Sequence, residues 1–97
     1  MATYVTLLKF TGRGVKDVKD TCQRAADLRT HAKKHNIEVK GQYWCLGPYD
    51  GLILFEAADD ETATAAVLSL GSRQNVTTQT ARAFTEAEMG RILGRVV

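Results

Sequence analysis

An α+β fold, with four antiparallel strands carrying helices on one face, is predicted by three observations. Four short segments show strand patterning, either period-two alternation or an unbroken apolar run. Two longer segments between them repeat their apolar residues at helical spacing, giving the order β-α-β-β-α-β. A last amphipathic segment carries its own helix-start signal. This order is the split βαβ, or ferredoxin-like, arrangement with an extra C-terminal helix. No linker, repeat or low-complexity run interrupts residues 1–97, so a single domain is expected.

The elements follow in chain order. Residues 3–10 (TYVTLLKF) are rich in β-branched and aromatic side chains and end at the turn signal Thr11-Gly12-Arg13-Gly14. From Val15 to His35 the period becomes helical, with Val15, Val18, Cys22, Ala25, Ala26, Arg29 and Ala32 on the apolar side. Asp20-Thr21 is a candidate internal cap that would divide this segment, and Asn36 is suited to a left-handed end. Residues 37–46 alternate again, and Gly47-Pro48-Tyr49-Asp50-Gly51 reads as a turn. Residues 52–57 are apolar until Glu56, as in a central strand. Asp59-Asp60-Glu61 sets negative charge at a helix start, Ala63, Ala66, Val67 and Leu70 form its stripe, and Gly71 is its expected stop. Residues 76–83 (VTTQTARA) make a threonine-rich strand. Thr85 and Glu88 have capping-box spacing, Phe84 and Met89 staple spacing, and Met89, Ile92, Leu93 and Val96 the stripe of a final helix.

Composition narrows the function. The chain has 97 residues, 44% of them hydrophobic, which is the make-up of a folded domain rather than a disordered tail. Thirteen basic residues against eleven acidic ones argue against a nucleic-acid binder. No apolar run approaches the ~20 residues of a membrane span, and the first ten residues read as strand rather than leader. Cys22 and Cys45 are too few for a disulfide framework, so both are expected as reduced thiols of a cytoplasmic protein.

Helices on one side leave the other side of the sheet to be explained. With Val5, Leu7, Val39, Tyr43, Ile53 and Phe55 turned to the helices, the open face would carry Tyr4, Thr6, Leu8, Gln42, Trp44, Leu54, Glu56, Thr78, Thr80 and Arg82. That set is too apolar for comfortable solvation and too polar for a plain core. A homo-oligomer closed sheet to sheet, with the polar members lining a cavity, is the expected solution.

Residues 43–50 (YWCLGPYD) resemble the signature of the GYD domain family, named for a Gly-Tyr-Asp pattern. The resemblance continues through the opening TYVTLLKFTGRGVKDVKD, through Ala58-Asp59-Asp60-Glu61, Leu70-Gly71-Ser72 and Asn75-Val76, and through Arg82-Ala83-Phe84-Thr85-Glu86. Here Pro48 separates the glycine from Tyr-Asp, and Cys22 stands where a helix-starting proline is expected. The resemblance implies a ferredoxin-like domain of the dimeric α+β barrel type, and it implies no particular activity.

Candidate site residues cluster around the same turn. Trp44, Gln42, Tyr49, Asp50 and Arg82 are the expected ligand contacts, an aromatic wall with polar groups for orientation. Asp50 and Glu56 are the candidate general bases. The structural alternatives are that Asp50 caps turn amides, that Tyr49 packs on a neighbouring strand, and that Arg82 pairs with Glu56 across strands or subunits. His31 and His35 have metal-binding spacing but nothing to complete a site. Cys45 reads as packing and Cys22 as core rather than as nucleophiles. Gly12-x-Gly14 lacks the rest of a dinucleotide fingerprint and reads as a turn. No metal or cofactor is expected. The leading expectation is a homo-oligomer binding a small, partly apolar molecule. The alternatives are a cofactor-independent monooxygenase- or isomerase-like enzyme acting on a small aromatic or carbonyl compound, and a structural oligomer without a ligand.

Overall fold

The computed structural model describes residues 1–97. Its four strands are β1 (Ala2–Phe10), β2 (Glu38–Trp44), β3 (Gly51–Ala57) and β4 (Val76–Ala83), ordered β2-β3-β1-β4 with every neighbouring pair antiparallel. The helices are α1 (Gly12–Lys16), α2 (Thr21–Lys34), α3 (Asp60–Ser72) and α4 (Glu86–Leu93), with a 3-10 turn at Val18–Asp20. This is the ferredoxin-like topology with an added C-terminal helix. No helix is long and apolar enough to cross a membrane.

Local chemistry sets the boundaries. Thr11 caps α1 through the Gly14 amide, and Asp59 caps α3 through the Thr62 amide. Thr85 and Glu88 form a complete capping box on α4. Asn36, at φ 60°, ends the α2 region left-handed, as expected. Gly71 does not stop α3; the helix runs on to Ser72, and Gln74 takes the left-handed conformation, at φ 65°. Gly14 is required by proximity, because a Cβ there would collide with the Asn75 carbonyl oxygen.

The side-chain faces of the sheet differ from expectation on three strands. Register pairs Tyr4 with Phe55 and Thr6 with Ile53, so Tyr4, Thr6 and Leu8 share the helix side with the core, and Val5 and Leu7 face the open side. On β4 the same register turns Thr78, Thr80 and Arg82 to the helix side. In β2 a bulge between Val39 and Gly41 reverses parity, so Gln42 and Trp44 join the helix side while Tyr43 faces outward. The core consists of Tyr4, Ile53 and Phe55 with Ala32, Ile37, Ala57 and Ala63, and Ala66, Val67, Leu28 and Leu70 pack against it. Cys22, Val15 and Val18 are exposed rather than core. The 3-10 turn resets the helical phase, and the stripe that meets the sheet is Ala25, Leu28 and Ala32. Cys45 is exposed as well, past the end of β2.

Candidate functional site

The turn joining β2 to β3 is held by its own backbone and by one carboxylate. Asp50 donates its amide to the Leu8 carbonyl at 2.8 Å and accepts the Cys45 amide on its carbonyl at 2.9 Å. Its carboxylate Oδ2 accepts the Phe10 amide at 2.8 Å. Asp50 thus fastens the turn to the end of β1, where a part-buried amide would otherwise lack a protein partner. Gly47, at φ 132°, allows the chain to reverse. Tyr49 reaches across β1, and its hydroxyl donates to Gln79 Oε1 at 2.8 Å.

Beneath α2 this end of the sheet forms a half-open cleft of about 70 Å3. Gln42, Trp44 and Asp50 reach it from the sheet, Thr21 and Arg24 from α2, and Arg73 from the end of α3. Its polar groups are largely engaged. The Trp44 indole donates to Thr21 Oγ1 at 3.0 Å, Arg29 donates to Gln42 Oε1 at 2.7 Å, and Arg24 donates to the Asp17 carbonyl at 2.7 Å. Three of the expected contacts therefore converge. Thr21, Arg24 and Arg73 had no local signal, because their place in the wall depends on tertiary packing.

Arg82 stands at the other end of the sheet. It pairs with Glu88 at 3.2 Å rather than with Glu56, and it donates to the Thr3 and Ala83 carbonyls. Its guanidinium lies 4.6 Å from the Phe84 ring centre and 5.6 Å from that of Tyr4. The Tyr4 hydroxyl donates to Asp60 at 2.5 Å, and that carboxylate raises the phenol's pKa above its ordinary value. The Thr85 amide, then Arg82, hold the Glu88 carboxyl below the usual range. Glu56 faces the open side opposite Glu38, and Lys40, in the bulge, lies 2.9 Å from Glu38 and 4.0 Å from Glu56. Glu38 and then Glu56 raise the Lys40 pKa.

A second concavity, about 510 Å3 and without a signal in the sequence, lies between α2 and α3. His31 and His35 stand on its rim with ring centres 4.6 Å apart, Glu61 and Arg73 face it from α3, and Ala32, Ile37 and Leu70 floor it.

The open side of the sheet is the larger surface. Val5, Leu7, Leu52 and Leu54 form a half-buried strip across β1 and β3. Tyr43, 63% exposed, extends it onto β2, its ring folded over Gly41. This is an apolar surface without a cover inside the chain.

Comparison with known proteins identifies the family. The Thermus thermophilus protein named glutamine synthetase and cystathionine beta-lyase binding protein is 31% identical over 90 residues, covering 92% of this chain and 95% of that one. No solved structure gives a significant match. The GYD domain matches residues 4–93, nearly the whole chain, and the protein belongs to the GYD domain family.

Proposed function

We propose that this chain is a binding subunit: two copies close open sheet face on open sheet face, and the assembly docks on an enzyme of amino-acid metabolism. The observation that carries the reading is the Thermus thermophilus relative, similar over almost the full length of both chains and named for binding two such enzymes. The strip of Val5, Leu7, Leu52, Leu54 and Tyr43 supports self-association, and a stable closure would bury roughly 1,200–2,000 Å2. The reading fits a reducing compartment such as the cytoplasm, since Cys22 and Cys45 are both free and exposed.

The test is to mix the purified chain with purified bacterial glutamine synthetase and, separately, with cystathionine beta-lyase. Comigration with at least one, with Kd below about 10 μM, is expected. Both enzymes running unshifted with about 100 μM folded chain removes the partner-docking reading and leaves the structural oligomer.

The cavity beside Trp44 favours a second reading, small-molecule binding. Gln42 and Trp44 gather there with the cations Arg24 and Arg73, which suit a small anion, while the Asp50 carboxylate is turned to the Phe10 amide. At about 70 Å3 it is well below the ~300–1,000 Å3 of ordinary ligand sites, so a larger ligand requires the Trp44–Thr21 bond to open. Tyr49 and Arg82 take no part in this pocket within one chain. An acid–base role for Asp50 or Glu56 has less support, since Asp50 fastens the turn and Glu56 lies beside Lys40. Trp44 fluorescence titrated with small carboxylates and phosphate checks the second reading; no change at about 10 mM excludes these anions as ligands.

A further inference from the structure

We propose that the outer edge of β4 pairs antiparallel with β4 of a second copy, a contact separate from closure of the open sheet faces. The argument begins with the direction of backbone groups. The Leu8 carbonyl accepts from Asp50, and the Phe10 amide donates to the Asp50 carboxylate, so the even residues of β1 turn their backbone groups toward β3. By alternation, Thr3, Val5, Leu7 and Lys9 turn toward β4, where they face Ala83, Ala81, Gln79 and Thr77. The amides and carbonyls of Thr78, Thr80 and Arg82 therefore point away from the sheet, and no strand lies beyond them.

The two edges of the sheet are built differently. On β2 a bulge, a glycine and the charged pair Glu38 and Lys40 interrupt the edge, all devices that discourage strand addition. On β4 eight residues run in unbroken register with β1, without proline, lysine or bulge. Val76, Thr77, Thr78 and Thr80 are β-branched, which favours an extended ladder.

The strand also complements itself. A two-fold axis perpendicular to the sheet keeps each face on its own side, so residues of equal parity must meet. With the axis at Thr80, Arg82 falls opposite Thr78; with the axis at Gln79, it falls opposite Val76. In both registers the only charge on β4 avoids its own copy, so no like-charge penalty opposes them. Leu68, 67% exposed on α3, stands beside the trough over Thr80 and Arg82, and pairing would bring two such leucines to the same side of the seam.

Residue-resolved amide exchange on the full chain, at about 50 μM and about 1 mM, tests the proposal. The outward amides of Thr78, Thr80 and Arg82 are expected to slow about threefold at the higher concentration, close to the square-root limit that mass action sets for a pairwise contact over this range. Thr78→Pro removes one outward donor at an edge position that tolerates proline, and it should abolish that slowing while Thr77, Gln79 and Ala81 stay protected. If Thr78→Pro unfolds the chain, seen as fast exchange at those three controls, Thr78→Lys replaces it and sets a second cation near Arg82 of the neighbour, with the same expectation. Slowing that survives Leu54→Asp separates this contact from sheet-face closure. Three outcomes overturn the proposal: fast outward amides at 1 mM, protection independent of concentration, or protection that disappears with Leu54→Asp. Protection that arises only when a partner enzyme is added assigns the edge to that protein and overturns it equally.

Discussion

The two faces of this sheet carry similar amounts of apolar side chain but are completed in different ways. On the helix side, Tyr4, Thr6, Ile53, Phe55 and Ala57 are buried by α2, α3 and their own neighbours. On the other side, Val5, Leu7, Leu52 and Leu54 stop at half burial. Stability of the lone chain resides on the first face, and capacity for association on the second.

Four measurements break or sharpen this contrast. Phe55 is 4% exposed and stacked on Tyr4 at 5.3 Å, so Phe55→Ala should cost ~3–5 kcal/mol in urea unfolding. Leu54→Ala, one residue away and turned outward, should cost the dilute chain about 1 kcal/mol or less and instead weaken self-association. Equal losses at both positions in dilute protein would erase the distinction between the faces. Next, Thr6 is 1% exposed and shares a 2.8 Å hydrogen bond with Thr80, so Thr6→Val should cost about 1 kcal/mol, the exposed Thr80 hydroxyl turning to water.

The third measurement is a pH profile. The folded-state pKa of Tyr4 is raised, because its hydroxyl donates to Asp60. The stability this contributes is fully present below the phenol's ordinary value near 10 and is lost as pH rises through the higher folded value. Thermal unfolding should show this alkaline loss in the native chain, and Tyr4→Phe should flatten it. The smallest effect belongs to the open face. Lys40→Met leaves Glu38 opposite Glu56, which should lower the melting temperature slightly, and added salt should recover the difference.

Order, topology and helix starts were legible because each rests on local chemistry. Asp59 at the head of α3 and Thr85 with Glu88 on α4 are short-range patterns, and the structure carries all of them. The faces of β1 were not legible, since Tyr4 and Leu8 are as apolar as Val5 and Leu7, and alternation cannot choose between two greasy sides. Thr78, Thr80 and Arg82 misled for a related reason. They lie on the covered side, but on an edge strand that the helices cover only in part, so polar residues are tolerated there. One helical phase extended through Val15 and Val18 puts Cys22 in the core, and the 3-10 turn breaks that phase. Of the site, the residues allowed a capping role for Asp50 but placed it within its own turn; that its carboxylate takes the Phe10 amide of β1, and that Arg82 stands apart from Trp44, was not visible without the register.

The irregularity at Lys40 divides β2 into halves of opposite parity, and this has an evolutionary corollary. Deleting that single residue would restore strict alternation and demand that Trp44 and Tyr43 trade sides relative to Val39. The indole would lose Thr21 and swing to the outer surface, while a phenol arrived under α2. In lineages that keep both aromatics in their present places, gaps should therefore be rare at this point and common in the turns on either side of it.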